Sequence, residues 1–321
     1  MKTLLLFLVI LLAGLWLANT SAFSSFPDDA EPKVIAHRGA HQTFDKTGID
    51  SRTCTASRIR EPSHDFLENT IPSMKAAFEA GASVVELDVH LTPDKHFAVF
   101  HDWTLDCRTD AKGVTEKTPM AALKALDIGH GYTFDGGRTF PFRGKGIGMM
   151  PTLIEVLDAL PQGRFLVNFK SRRKEEGDAL AALLDASPAY RSQVIGVYGG
   201  GEPTEAAMAQ VIGLPGFSNA SAKSCLVEYL ALGWSGHVPE TCRGRLVAVP
   251  ANYAFLLWGW PARFYERMRA HGSDVIIMGD YEAGDAGTSG IDDAAAKSRI
   301  PDGFPGYVWT NEILSWKKWP L

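Results

Sequence analysis

The amino-acid sequence predicts a single-domain α/β fold of the (β/α)8 class, and two observations support that prediction. Eight short β-rich runs alternate with segments of helical pattern along the 321-residue chain, and neither an internal repeat nor a Pro/Ser-rich linker divides it. Eight parallel strands that alternate with helices close into a TIM barrel. The runs lie at residues 34–38, 84–89, 165–170, 194–198, 216–220, 245–250, 274–279 and 306–311.

The composition is that of an ordinary globular protein. Hydrophobic residues make up 45% of the chain and charged residues 21%, which leaves ample apolar material for a core. The formal net charge is -5, whereas a nucleic-acid-binding domain carries a basic surface. The composition therefore argues against nucleic acid as a partner.

The first residues have the order of a secretory signal. Lys2 precedes an uncharged apolar run from Leu4 to Leu17, and small polar residues follow, with Ala22 at a position suited to cleavage. Because the run is shorter than the roughly 20 residues of a spanning helix, we predict a cleaved signal peptide over residues 1–22. A retained N-terminal anchor is the alternative. Both predict an exported protein, periplasmic or secreted, whose barrel occupies residues 30–321.

Export affects how the four cysteines are interpreted. They form no CxxC pair, which argues against a zinc site, and an oxidising compartment favours disulfides. Of the possible pairings we predict Cys54 with Cys107 and Cys225 with Cys242, because each pair would hold together one loop region on the functional face. Four reduced cysteines would require a cytosolic protein and another role for the N-terminal segment.

Helix signals fit the alternation. Asn69 or Thr70 can cap a helix that has Pro72 in its first turn and Gly81 at its end. Thr118 and Pro119 are predicted to open a second helix, and two further helices are predicted at residues 175–186 and 204–214.

Two long loops follow strands 1 and 2, at residues 40–68 and around residues 128–150. The functional groups of a TIM barrel lie on the loops that follow the strands, and long loops in a compact domain are usually functional. We predict that the first loop belongs to the active site and that the second forms part of its wall.

A carboxylate pair marks the second strand. Glu86 and Asp88 are two residues apart, so a strand presents both on one face, here the barrel interior. Two like charges side by side in a half-buried site need a proton or a cation to neutralise them. We predict one divalent cation with oxygen ligands, Mg²⁺ or Ca²⁺.

Two histidines are candidates for proton transfer. His37 ends the first strand, next to Arg38. Only about four residues separate the second strand from the run that follows, which predicts a hairpin. If Thr92 faces Lys95 across its turn, His101 lies opposite Glu86. One histidine can then accept a proton while the other donates one, with metal ligation by histidine as the alternative.

The motifs resemble those of the glycerophosphodiester phosphodiesterases. In chain order they are AHRGA, ENT at 68–70, VVELDVHLTPD, VFHDWTL with a following RT, MPTLIEVL at 150–157 and a strand that ends in Lys170. The resemblance spans roughly residues 34–170, and VWT near the C-terminus is similar to a further motif of the family. Each motif is short, but their ordered combination is specific.

The resemblance implies a TIM barrel that hydrolyses glycerophosphodiesters to an alcohol and glycerol 3-phosphate with a divalent metal. It implies that His37 and His101 are the catalytic acid and base, and that Glu86 and Asp88 bind the metal. It also implies that Arg38 contacts the phosphate and that Glu68 and Lys170 line the site. Arginine suits bidentate recognition of phosphate oxygens.

The chain departs from the family pattern at Asn168, where members usually carry a glutamate as a third metal ligand. An asparagine carbonyl oxygen still binds Mg²⁺ or Ca²⁺, so we retain Asn168 as a ligand with weaker expected affinity or a shifted metal preference. The VWT strand also follows the run at 274–279, whereas family members commonly have the reverse order. Trp309 in that motif is predicted to be an apolar platform for substrate or, equally, a packing residue.

Three functions are compatible with these features. The leading hypothesis is an exported, metal-dependent glycerophosphodiesterase. The first alternative is an enzyme of lysophospholipase D type that acts on lipids at the membrane surface. It is favoured by a retained N-terminal anchor and by exposed apolar residues, for which the candidates are Phe255, Leu256, Leu257, Trp258 and Trp260. The second is a non-catalytic binding barrel, which the substitution at Asn168 leaves open.

Overall fold

The sheet of this protein forms the predicted TIM barrel. A computed structural model describes residues 2–27, 29–50, 53–282 and 289–320. Its strands are β1 (Lys33–Ala36), β2 (Val84–Leu91), β3 (Phe97–Val99), β4 (Phe165–Phe169), β5 (Val194–Gly199), β6 (Gly216–Ser218), β7 (Leu246–Pro250), β8 (Asp274–Met278) and β9 (Tyr307–Thr310).

Eight of these strands pair in parallel in the order β6-β5-β4-β2-β1-β9-β8-β7, and β3 pairs antiparallel with β2. The path makes a nearly closed barrel with β6 and β7 at its two ends. The VWT strand, β9, lies between β8 and β1, so its late position in the chain still places it beside the first strand.

Helices surround the barrel. They are α1 (Lys2–Asn19), α2 (Ile71–Ala80), α3 (Met120–Lys124), α4 (Leu153–Ala159), α5 (Lys174–Ala186), α6 (Pro188–Gln193), α7 (Gly201–Gln210), α8 (Asn219–Leu232), α9 (Ala262–Ala270) and α10 (Ala294–Lys297). Short 3-10 helices cover Thr55–Arg58, Thr115–Lys117, Gly233–Ser235, Glu240–Cys242, Ala254–Leu256 and Ile313–Lys318.

The predicted caps are largely confirmed. Thr70 caps α2 by accepting a hydrogen bond from Ser73 N at 3.3 Å, and Gly81 ends the helix in the left-handed region with φ 107°. The strand predicted at 216–220 is shorter, because Ser218 is the N-cap of α8. The helix predicted at 204–214 begins earlier and ends earlier, as α7.

The hydrophobic core has a main part between the strands and the helices and a second part under the long loops. The second part contains Phe44 and Ile59 from the first loop and Tyr132 and Phe142 from the second, all buried. Thr133 N also donates to Ala56 O at 2.9 Å between the two loops. The two loops therefore pack as one wall beside the mouth of the barrel, as predicted.

The hairpin register differs from the prediction by one residue. His90 pairs with Ala98 and Leu91 with Phe97, and Thr92 N donates to His96 O at 2.8 Å. The turn therefore has three residues and ends at Lys95, which adopts φ 65° as the left-handed residue of such turns. The predicted pairing of Thr92 with Lys95, and with it that of Glu86 with His101, is wrong.

Both predicted disulfides are present, with S–S distances of 2.08 Å for Cys54–Cys107 and 2.07 Å for Cys225–Cys242. The first joins the long loop after β1 to the segment after β3, as expected. The second joins α8 to the turn that precedes β7, at the opposite end of the barrel from the functional loops. The reason given for the second pairing is therefore wrong, although the pairing itself is confirmed.

Helix α1 is long and apolar enough to cross a membrane, a property that signal sequences share. Its side chains are largely exposed, and its C-terminal end is held to the barrel. Asn19 donates to Trp234 O at 2.7 Å, and Arg267 donates to Ala18 O at 2.8 Å. An apolar N-terminal helix and two disulfides fit an exported protein.

Candidate active site

His37 follows the last residue of β1 and is buried at the carboxyl end of the barrel. Its Nδ1 lies 2.6 Å from Asn311 Oδ1, and Asn311 in turn donates from Nδ2 to Asp292 Oδ2 at 2.7 Å. An oxygen only accepts, so this network assigns the imidazole proton to Nδ1. Burial, and then the charge of Arg38, lower the pKa of His37 well below its usual value, which keeps the ring neutral.

Arg38 turns back over the mouth of the barrel. Its backbone has φ 57°, and Gly39 follows with φ 78° at a point where a Cβ would lie 2.7 Å from Ser73 Oγ. The guanidinium donates from Nη1 to Glu68 Oε1 at 3.0 Å and from Nε to His37 Nε2 at 3.1 Å. The left-handed backbone thus directs this cation at the first histidine and at a buried carboxylate.

Glu86 and Asp88 are fully buried on one face of β2, as the spacing predicts. Burial, together with the charge of Asp88, raises the pKa of Glu86 to about 8. Burial also opposes ionisation of Asp88, but Lys170, His101 and Arg38 together lower its pKa. The pKa values of Glu86 and Asp88 thus shift in opposite directions, because nearby positive charge outweighs the effect of burial only at Asp88.

Asp88 accepts contacts from several segments at the mouth of the barrel. Asn69 Nδ2 donates to its Oδ2 at 2.8 Å, and Asn168 Nδ2 donates to its Oδ1 at 2.8 Å. Lys170 Nζ lies 3.5 Å from the same Oδ1, and Arg38 Nε lies 3.4 Å from Oδ2. The carboxylate therefore joins the ends of β1, β2 and β4 at one point.

His101 lies just beyond β3 with a quarter of its side chain exposed. Its Nδ1 is 2.7 Å from Asp102 Oδ1, which assigns the proton to Nδ1. Burial, followed by the charges of Arg38 and Lys170, lowers the pKa of His101, whereas Asp88 and Asp102 oppose this change. Despite the shifted hairpin register, His101 thus lies close enough to Asp88 and Arg38 for both charges to affect its pKa.

Two neutral histidines, two cations and a buried carboxylate pair now share the carboxyl ends of neighbouring strands, and comparison with known proteins identifies the family. Residues 37–183 match the model of the glycerophosphoryl diester phosphodiesterase family. This part of the chain belongs to that family.

Curated relatives in the family match part of the chain. A glycerophosphodiester phosphodiesterase of Caldanaerobacter subterraneus subsp. tengcongensis is 38% identical over 113 residues, which make up 35% of this chain and 42% of that protein. One of Bacillus altitudinis is 32% identical over 107 residues, 33% of this chain and 40% of that protein. The match thus covers about two fifths of the length of these relatives.

Solved structures share the barrel along most of the chain. The glycerophosphoryl diester phosphodiesterase domain of an uncharacterized protein from Mycobacterium tuberculosis has a TM-score of 0.64 at 18% identity, covering 90% of this chain and 99% of that one. A phosphodiesterase of Oleispira antarctica, solved with the product sn-glycerol-3-phosphate, has a TM-score of 0.55 at 19% identity, covering 89% and 96%. At these identities the likeness shows a shared fold.

Asn168 is where the chain departs from the motif that the resemblance predicts. Its amide nitrogen donates to Asp88 Oδ1 and, at 2.9 Å, to Tyr198 OH. Its amide oxygen faces Gly199, where a Cβ would lie only 2.2 Å from it. Rotation of the amide is therefore required before this oxygen can point at a metal beside Asp88, and ligation by Asn168 stays a prediction.

Of two further residues predicted to contact the substrate, Lys170 is partly exposed and Trp309 is buried. Lys170 is partly exposed beside Asp88, which suits a contact with substrate phosphate. Trp309 is 1% exposed, and its ring centroid lies 4.9 Å from that of His37 and 5.8 Å from that of Tyr198. It packs beneath the first histidine, and its role as a platform for substrate stays a prediction.

Five further residues, none of them assigned to the site from the sequence, bond to its groups or to their partners, namely Asn69, Asp102, Arg108, Tyr198 and Asn311. Tyr198 OH donates to Glu86 Oε1 at 2.6 Å, and Asn311 orients His37. Asp102 and Arg108 were visible in the motif VFHDWTL and in the RT after it, and Asn69 in ENT. Their motifs were noted, but nothing in their spacing showed which side chain each would meet.

Proposed function

We propose that this chain is a metal-dependent phosphodiesterase that hydrolyses glycerophosphodiesters to an alcohol and glycerol 3-phosphate. The observation that carries the proposal is the pair of histidines, each held through Nδ1, around the cations Arg38 and Lys170. Two imidazoles whose Nε2 atoms carry no proton suit proton transfer at the attacking and leaving oxygens, and the two cations suit binding of a phosphate. The family and the product named for the Oleispira antarctica structure support the same chemistry.

The partners of the histidines favour different roles for them. Asp102 carries a charge that stabilises an imidazolium at His101, whereas the neutral amide of Asn311 does not do so for His37. We therefore assign the base to His37 and the acid to His101. His37 takes the proton of the attacking hydroxyl, from water or from the substrate itself. His101, neutral at rest, first takes up a proton at Nε2, with Asp102 stabilising the imidazolium, and then gives this proton to the leaving alkoxide.

The donor set fits one hard divalent cation, Mg²⁺ or Ca²⁺. Glu86 and Asp88 offer carboxylate oxygens side by side, and burial beside Asp88 raises the pKa of Glu86, so a cation there would favour its ionised form. Asn168 would offer a neutral oxygen as the third ligand, which gives the site one negative charge fewer than a glutamate would. When bound, it would neutralise charge on the phosphoryl oxygens.

The experiment that tests this function is hydrolysis of glycerophosphocholine by the purified chain, with product glycerol 3-phosphate measured enzymatically. We expect activity that a chelator abolishes and that Mg²⁺ or Ca²⁺ restores. Activity that persists in the chelator contradicts the metal dependence. Absence of turnover with every metal and phosphodiester tried supports the non-catalytic binding barrel instead.

Asn168→Glu tests the consequence of the missing carboxylate. A third negative ligand beside Glu86 and Asp88 is expected to lower the metal concentration for half-maximal activity by about tenfold, because affinity follows ligand charge. The matched control is Asn168→Gln, which lengthens the side chain without adding charge. Unchanged metal dependence in Asn168→Glu contradicts a ligand position here.

A lysophospholipase D-type activity is the second candidate, and two exposed side chains favour it. Phe255 is 75% exposed and Leu256 is 47% exposed on the loop after β7. Leu257 is buried, however, and Trp258 and Trp260 are only partly exposed, so the predicted apolar surface is smaller than the sequence suggested. Comparing turnover of glycerophosphocholine with that of lysophosphatidylcholine separates the two activities.

We also propose that the protein is exported, as the N-terminal helix and the disulfides suggest. Cleavage after Ala22 would remove the contacts of Asn19 and Ser21 with the barrel, whereas an anchor would retain them. N-terminal sequencing of protein recovered from the producing cell, together with fractionation into soluble and membrane pools, distinguishes a secreted form from an anchored one.

A further inference from the structure

Arg108 is a buried cation without a role in the proposed chemistry. Its side chain is 2% exposed, and each of its three nitrogens is hydrogen bonded. Nη2 donates to Glu68 Oε2 at 3.0 Å and to Thr55 Oγ1 at 2.7 Å, and Nε donates to Tyr132 OH at 3.1 Å. Nη1 pairs with Asp102 Oδ2. Such a complete set of bonds leaves the guanidinium one orientation.

The two carboxylates that Arg108 holds are the ones that orient the proposed active-site groups. Asp102 uses its other oxygen, Oδ1, for His101 Nδ1 at 2.7 Å. Glu68 uses its other oxygen, Oε1, for Arg38 Nη1 at 3.0 Å. A continuous chain of ion pairs therefore runs from the second histidine to the phosphate-binding arginine, and Arg108 is its centre. We call Asp102, Arg108 and Glu68 the Arg108 bridge.

The disulfide Cys54–Cys107 lies directly against the Arg108 bridge. Cys107 precedes Arg108 in the chain, and Cys54 precedes Thr55, which accepts a bond from the guanidinium. The two cysteines are 53 residues apart, so the crosslink ties the loop after β1 directly to a segment that is distant in sequence. From the other side, Gly131 N donates to Arg108 O at 3.2 Å. Backbone on both sides thus confines the arginine.

We propose that Arg108 is a positioning residue for the phosphodiesterase reaction and that the Cys54–Cys107 disulfide holds it in place. The inference rests on the proposed function, because it assigns His101 and Arg38 the roles given above. The planar fork of arginine reaches both carboxylates at once, whereas the single ammonium of lysine cannot. The residue acts through Asp102 and Glu68 and does not touch the substrate.

The bridge predicts a split between kcat and KM that a merely structural residue would not show. Asp102→Asn is expected to lower kcat with little change in KM, because it affects His101 alone. Glu68→Gln is expected mainly to raise KM through Arg38. Arg108→Lys changes both, and kcat/KM falls by about 10- to 100-fold, the range for groups that orient functional residues. Adding Asp102→Asn to Arg108→Lys is expected to cost less than the separate effects combined.

The chain offers a matched control for the disulfide. Cys54→Ser with Cys107→Ser, and Cys225→Ser with Cys242→Ser, each remove one crosslink, but only the first touches the bridge. Both double variants are expected to lose thermal stability. Assayed well below their melting temperatures, the first loses about tenfold in kcat/KM and the second keeps wild-type kinetics. Thr55→Val, which removes one bond to Arg108 and no crosslink, is expected to change kcat/KM in the same direction.

Several results would overturn the inference. Wild-type kcat/KM in folded Arg108→Lys, or in the Cys54 and Cys107 variant, shows that the bridge does not position the site. Equal kinetic losses in both cysteine variants show a general effect of lost stability. An inactive wild type, in contrast, refutes the proposed function itself and the positioning role with it.

Discussion

His101→Ala is expected to lower kcat by about 10²- to 10⁴-fold, the range for a lost general acid or base. His37→Ala is expected to have an effect of the same size, since each histidine serves one half of the proton transfer. Hydrolysis of glycerophosphocholine at saturating metal measures both. The double variant is expected to be little worse than either single variant, because residues that act together do not contribute additively.

The matched control is His96→Ala, in the exposed turn between β2 and β3. Its bonds to Thr92 are made by its own backbone N–H and C=O, so replacing its side chain leaves the turn intact. Circular dichroism verifies folding of each variant. If folded protein without both His37 and His101 retains activity near that of the wild type, the assigned mechanism is wrong.

Arg38→Met is expected to lower the free energy of unfolding more than any other substitution proposed at the site. It leaves Glu68 and Asp88 buried with one cation fewer, and breaking a buried pair in this way costs about 3–5 kcal/mol. Urea denaturation measures the free energy of unfolding. In any folded fraction, KM is expected to rise, because the phosphate loses a bidentate donor.

Arg38→Lys separates charge from geometry. Lysine keeps the cation but lacks the fork that reaches Glu68 and His37 together, so we expect a smaller loss of stability and a clear rise in KM. If Arg38→Met unfolds at the same urea concentration as the wild type, the carboxylates do not depend on this cation. If Arg38→Lys has wild-type KM, bidentate recognition of phosphate is wrong.

Much of the barrel was predictable because its strands are buried on both faces. Such strands consist of nearly continuous apolar residues, as in Phe165–Phe169 and Asp274–Met278, and stand out between helical segments. The cap at Thr70 was predictable for a similar reason, since its side chain and the following turn are local in sequence. Strands and helix caps can therefore be predicted when the residues that determine them are close together in the sequence.

The predictions that failed depended on geometry outside a single element. A three-residue turn with Lys95 in the left-handed region shifted the hairpin register by one, although lysine is an unusual residue for that conformation. The Cys225–Cys242 pair was predicted correctly but placed at the wrong end of the barrel. Its position depends on where α8 passes β7, which no local pattern encodes.

By itself, the sequence determined the barrel class, the shared face of Glu86 and Asp88 and the candidate histidines, because strand periodicity and ordered motifs are local properties. Only the tertiary structure decided the partners of those groups. Asn311 meets His37 across 274 positions of the chain, and Tyr198 meets Glu86 across 112. Barrel closure brings strand ends that are distant in sequence close together in space. The fold therefore determines these contacts, and it also determines the Arg108 bridge and its disulfide.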